Sequence, residues 1–103
     1  MEGGKAMRIE TMGKPEGCKL LRVSVELSDP AGSDSLIGWI SVRGDFFAVP
    51  EEGFEALEKS LSGVRVRDLA EVFETQARKL EIKTLGISGQ ALQSLIEGNF
   101  HGR

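Results

Sequence analysis

The hydrophobic period of this chain changes at Pro50, and that change limits what the chain can fold into more than any other feature. Before it, Leu21, Val23, Val25 and Leu27 alternate with Arg22, Ser24 and Glu26, the period-two pattern of a strand with one buried face. After it, Phe54, Leu57 and Leu61, and then Val66, Leu69, Ala70, Phe73 and Ala77, recur at helical spacing with charged residues off the stripe. Strands first and helices second argue for an α+β fold: a three-stranded antiparallel sheet followed by about three helices packed on one face.

Turn chemistry divides the strand half. A weaker alternation runs from Ala6 to Met12, and Gly13, Lys14, Pro15, Glu16 and Gly17 separate it from the segment Leu20 to Leu27, most simply as a hairpin. Asp29 to Asp34 is a second turn, and Leu36 to Arg43 follows with Ile37, Trp39, Ile40 and Val42. In the helical half, a first helix is expected to start at Pro50, with Glu51 and Glu52 at the positive end of its dipole and Gly63 as its left-handed stop. A second carries the stripe from Val66 to Ala77. A third, capped by Ser88, carries Leu92, Leu95 and Ile96 and ends near Gly98. The connector from Glu81 to Ile87 stays unassigned.

The 103 residues, 40% hydrophobic and 28% charged, are expected to form one domain spanning 1–103 with a core of its own. A net charge of −3 with interleaved signs offers no basic stripe, which argues against nucleic acid and anionic membranes as partners. One cysteine, Cys18, and one histidine, His101, cannot build a structural zinc site. With no apolar leader or membrane span in view, a cytoplasmic location is expected.

Catalytic candidates are few. His101 stands near the end of the chain, where a solvated tail residue is the simpler reading. Gly86-Ile87-Ser88-Gly89-Gln90 could offer N–H groups to an anion, but an ordinary loop and cap is the simpler reading. Cys18 follows a glycine turn and could present a partly exposed thiol that accepts sulfur, with only Lys14 and Lys19 nearby in sequence to activate it. Glu51 and Glu52 read as a solvated helical turn. No catalytic, cofactor-binding or metal-binding residue is therefore assigned. One stretch exceeds background: Gly44, Asp45, Phe46 and Phe47 join the last strand to the first helix, and neighbouring strand residues face opposite sides. One phenylalanine is expected to anchor the core, while the other helps form a contact surface for a partner. A purely local role, with Asp45 holding backbone donors and Gly44 forming a bulge, fits the residues equally well.

Three segments carry a resemblance: Cys18-Lys19-Leu20-Leu21-Arg22-Val23 after the glycine turn, Gly44-Asp45-Phe46-Phe47-Ala48-Val49-Pro50-Glu51-Glu52, and Leu57-Glu58-Lys59-Ser60-Leu61-Ser62-Gly63. Together, over roughly Ala6 to Ile96, they resemble the C-terminal accessory domain of lipoate-protein ligases, which in some archaea and bacteria is a separate small subunit. Where that family usually has a glycine before the lysine of the second strand, this chain has Cys18. The resemblance implies a fold similar to the SufE/NifU-like iron–sulfur scaffold and sulfur-acceptor proteins. It also implies a non-catalytic accessory subunit, partnered in a heterodimer with a catalytic subunit that holds ATP, Mg and lipoate. The complex would activate lipoate to lipoyl-adenylate and transfer it to lipoyl-domain proteins, which this chain would meet only indirectly. The alternative is a sulfur acceptor or iron–sulfur assembly factor using Cys18.

Overall fold

A computed structural model describes residues 6–28 and 32–100. His101 and the expected turn residues Asp29 to Ala31 lie outside the described residues. Three strands, β1 (Ala6–Gly13), β2 (Leu21–Ser28) and β3 (Ile37–Gly44), form an antiparallel sheet in the order β1-β2-β3. The alternation in β2 is a burial alternation: Leu21, Val23, Val25 and Leu27 are all essentially inaccessible. The pattern of β3 is not strictly period two, because Ile37, Ile40 and Val42 point inward while Trp39 lies outside. A register shift resolves this. Glu26 pairs with Trp39 and Leu27 with Ile37, so Gly38 is an extra residue in a bulge that returns Ile37 to the core.

The first helix, α1 (Gly53–Ser60), starts three residues later than the expected start at Pro50. Pro50 to Glu52 instead form a turn in which the amides of Gly53 and Phe54 donate to the carbonyls of Pro50 and Glu51. The physical reason is upstream: Phe47–Val49 form a short strand, β4, and the residue before a proline is biased toward extended backbone. Phe54, Leu57 and Leu61 face the core as expected. Gly63 stops the helix at φ +87°, and its N–H donates to the Ile37 carbonyl at 2.6 Å, while Ile37 N–H donates to Val64. The loop after α1 thus seals one end of the outer edge of β3.

The second helix opens with a 3-10 turn, Val66–Asp68, and continues as α2 (Leu69–Lys79), with Val66, Leu69, Phe73 and Ala77 buried. Ala70 is half-buried, with Gly89 pressed against it; a Cβ at Gly89 would stand 2.4 Å from the Ala70 carbonyl oxygen. The unassigned connector holds a fifth strand, β5 (Lys83–Leu85), antiparallel to β4. The third helix, α3 (Gly89–Glu97), is capped by Ser88, whose Oγ accepts from Ala91 N–H at 3.1 Å. α2 and α3 also cap each other. Glu74 accepts from Gly89 N–H at 2.8 Å, and Gln93 accepts from Ala70 N–H at 2.9 Å, so each helix supplies a side chain to the other's unpaired first amides. The core lies between the sheet and these helices, around Leu21, Leu57, Leu69, Phe73, Leu92 and Ile96.

Candidate functional site

The segments from Cys18 and from Gly44, far apart in sequence, meet in space. Gly44 ends β3 at φ +152°, with the space where its Cβ would stand lying 2.1 Å from the Leu20 carbonyl oxygen. Asp45 N–H donates to that same carbonyl at 3.2 Å, and Lys19 N–H donates to the Gly86 carbonyl at 2.9 Å. Glycine at 44 is therefore required by backbone contact as well as by φ. The close approach turns the chain out of the main sheet and into β4.

That turn separates the two aromatics. Phe46 is half-buried and packs with its ring centre 4.9 Å from that of Phe54, which lies edge-on to Phe73 at 6.5 Å. Phe47 is 65% exposed. The register Phe47 with Leu85 and Val49 with Lys83 places Phe47, Val49 and Leu85 on one face of the β4–β5 ribbon, while Ala48 turns back toward the core. Val49 is 65% and Leu85 71% exposed, so three large apolar side chains share an open face. Beside them a groove reaches down to Ala77 and Ile82, with Arg78 and Lys83 at its rim. Sequence reasoning missed Val49 and Leu85. Leu85 stood in the unassigned connector, and three-residue strands are too short for periodicity to reveal.

The carboxylate of Asp45 is exposed and accepts no hydrogen bond from the described residues, so the local holding role considered for it is not seen. Glu51 and Glu52 are exposed in the turn before α1. On the other side of Phe46 a depression is bordered by Glu51, Glu52, Glu55, Glu58 and Arg43. Glu58 differs from its neighbours. It is half-buried, and its Oε2 accepts from Val42 N–H at 2.7 Å, covering a further backbone donor on the outer edge of β3. Burial pushes its carboxyl above the ordinary value near 4.5, with a smaller push from Glu55, against the Val42 N–H and the Arg43 guanidinium, which favour the charged form. A raised folded-state value means that Glu58 contributes stability at low pH that is lost as pH rises from about 4.5 through the higher value. Glu58→Gln keeps an acceptor for Val42 without the charge. The variant's melting temperature relative to the parent chain is thus expected to climb as pH rises across that window, and a difference constant from pH 4 to 8 would count against this account.

The remaining candidates resolve simply. Cys18 is not the partly exposed thiol that its turn could have presented; it is 8% accessible, packed into the core, with its N–H donating to the Pro15 carbonyl. The loop folds back over the core, and the Lys19 to Gly86 hydrogen bond ties its end to the segment before α3. Amides of Gly89, Ala91 and Leu92 at the start of α3 are taken by Glu74, Ser88 Oγ and the Ser88 carbonyl, the ordinary cap rather than an anion seat. Among the described residues no group of three or more His, Cys, Asp or Glu is placed to hold a metal ion, and no helix is long and apolar enough to cross a membrane.

The architecture defines a class: an α+β fold with helices on one face of a three-stranded meander, bearing an apolar ribbon at its strand-to-helix junction. This fold is similar to that of a chain in the solved structure of an archaeal lipoylation system, a bi-partite lipoate protein ligase and its E2 lipoyl domain from Thermoplasma acidophilum. The two share 22% identity at a TM-score of 0.67, over 89% of this chain and 97% of the other. No family model matches the sequence, and no curated protein matches it.

Proposed function

We propose that this chain is the non-catalytic accessory subunit of a two-chain lipoate-protein ligase. It docks on a cytoplasmic catalytic subunit as a heterodimer and is required with it for ATP-dependent activation of lipoate to lipoyl-adenylate and for protein lipoylation. ATP, Mg and lipoate are held by the catalytic subunit, and lipoyl-domain proteins meet this chain only through the complex. One observation carries the reading: the exposed face of Phe47, Val49 and Leu85, directly after Gly44 and Asp45, is an apolar surface with no partner among the described residues. The resemblance of the Gly44 to Glu52 segment and the fold shared with a component of a lipoylation system support the same reading. Gly44 and Phe46 shape and anchor this surface, and Asp45 and Phe47 belong to it.

A physical route connects docking to activation. Seating an apolar ribbon on the partner orders loops that must close over lipoate and ATP, so adenylation bears the ordering cost, while transfer from an adenylate already bound does not. The test mixes this chain with the cognate catalytic subunit and follows lipoate-dependent pyrophosphate release. An increase of about tenfold or more on adding the chain is expected, about 1.4 kcal/mol off the activation barrier. No increase and no complex on gel filtration would sink the proposal. Cys18→Ala is expected to support the same rate, since the buried thiol takes no part; loss of activity in this variant while it remains folded would instead favour sulfur handling.

A further inference from the structure

β1 ends the three-stranded sheet, and no described strand pairs with its outer edge. The outward N–H and C=O groups of Ala6–Gly13 therefore have no ladder partner among the described residues, a template for strand pairing. Such edges are usually guarded by a proline, a bulge or an outward lysine. β1 has none of these: its register to β2 runs unbroken from Ala6 to Gly13, and it holds neither proline nor lysine. Its one cation, Arg8, is drawn back over the sheet, 3.2 Å from Glu10, 3.7 Å from Glu26 and 4.9 Å from the centre of the Trp39 ring. The opposite edge, β3, is covered by Glu58 and the loop after α1.

We propose that β1 pairs antiparallel with β1 of a second copy of this chain, about a two-fold axis through Ile9, to give one continuous six-stranded sheet. The register follows from charge and pleat. An axis perpendicular to the sheet keeps the helices of both copies on one face, and opposed side chains then stay in phase only if a residue lies on the axis. Centring on Arg8 sets Arg8 against Arg8, and centring on Glu10 sets Glu10 against Glu10, and like charges directly opposed destabilise a sheet. Axes further along the strand shorten the paired segment. Centring on Ile9 sets Arg8 against Glu10 of the second copy on both sides of the axis, so a row across the open face runs from Trp39 through Glu26 and Arg8 to Glu10 of the second copy, its three charges alternating in sign. On the helix-covered face, half-buried Ile9 meets its own copy and Met7, 41% exposed, meets Thr11, which extends the apolar row of Val25 and Ile40 across the junction.

Sedimentation velocity on the purified chain, from low to high micromolar concentration, is expected to show a reversible monomer–dimer equilibrium. Arg8→Glu and Glu10→Arg should each weaken it about tenfold or more, because each turns two attractive pairs into repulsive ones. The double variant restores both pairs with reversed sign and should recover the parent affinity. Both side chains are more than half exposed, so the variants should fold, which circular dichroism checks. A chain that stays monomeric throughout overturns the proposal. So does self-association that the single changes leave untouched or that the double variant fails to recover. The measurement uses this chain alone, so its failure leaves the ligase proposal standing.

Discussion

Gly44→Ala is expected to lower the stability of the domain by about 3 kcal/mol or more, a melting temperature lower by roughly 10 to 20 °C for a chain of this size. Two costs coincide at this position. The backbone at φ +152° is one that residues with a side chain rarely adopt, and the added methyl would stand 2.1 Å from the Leu20 carbonyl oxygen. That oxygen belongs to the backbone entering β2 and accepts the Asp45 amide, so relief requires the start of β2 and the exit of β3 to part. Against a total stability of about 5 to 15 kcal/mol, such a loss removes a large fraction of the margin. Gly17→Ala is the informative control, since its φ of +79° is also positive but nothing lies within 4 Å of the added atom. Thermal unfolding of the two variants separates strain alone from strain with a clash. Equal losses in both would show that the Leu20 contact adds nothing.

The second large effect concerns docking. Phe47→Ala and Leu85→Ala are each expected to leave thermal stability within about 1 kcal/mol of the parent chain, because both residues are mostly exposed and lose only a cross-strand contact. Under the ligase proposal, each should weaken binding to the catalytic subunit by about 2 kcal/mol or more, roughly 30-fold, as buried anchors at the centre of an interface do. The assay that matters has two arms. Lipoate-dependent pyrophosphate release should fall with docking, whereas transfer from preformed lipoyl-adenylate by the catalytic subunit should persist. Phe46→Ala should behave in the opposite way, costing about 2 to 3 kcal/mol of stability through its lost contact with Phe54, with docking weakened only as far as the ribbon shifts. Full pyrophosphate release from folded Phe47→Ala and Leu85→Ala variants would mean that the ribbon face is not where the partner sits.

Much of this fold was readable because burial imposes a period on sequence. β2 repeats every second residue because the pleat sends alternate side chains to the core, and α2 repeats every third and fourth because one stripe of the helix is covered. Gly63 and Ser88 mark helix ends for equally local reasons, a left-handed backbone and a hydroxyl within reach of a free amide. Those features depend on residues within a turn or two of one another, so a single sequence suffices to place them. It also sufficed to show that Phe46 and Phe47, adjacent in an extended segment, must part company.

Which of the two would face outward depended on contacts made across the fold. Phe46 is turned inward because Gly44 is held against Leu20 and Phe54 offers it a ring, and Phe47 is left outside by pairing with Leu85 from a strand that begins more than thirty residues later. The start of α1 was displaced by the same pairing, the Gly38 bulge was set by the register with β2, and Cys18 lies in a core assembled from both sheet and helices. The exchange of caps between α2 and α3 depends likewise on Glu74 and Gln93 reaching amides of another helix. In each case the deciding partner is distant along the chain, and the period of a local segment carries no information about what a distant segment will place beside it.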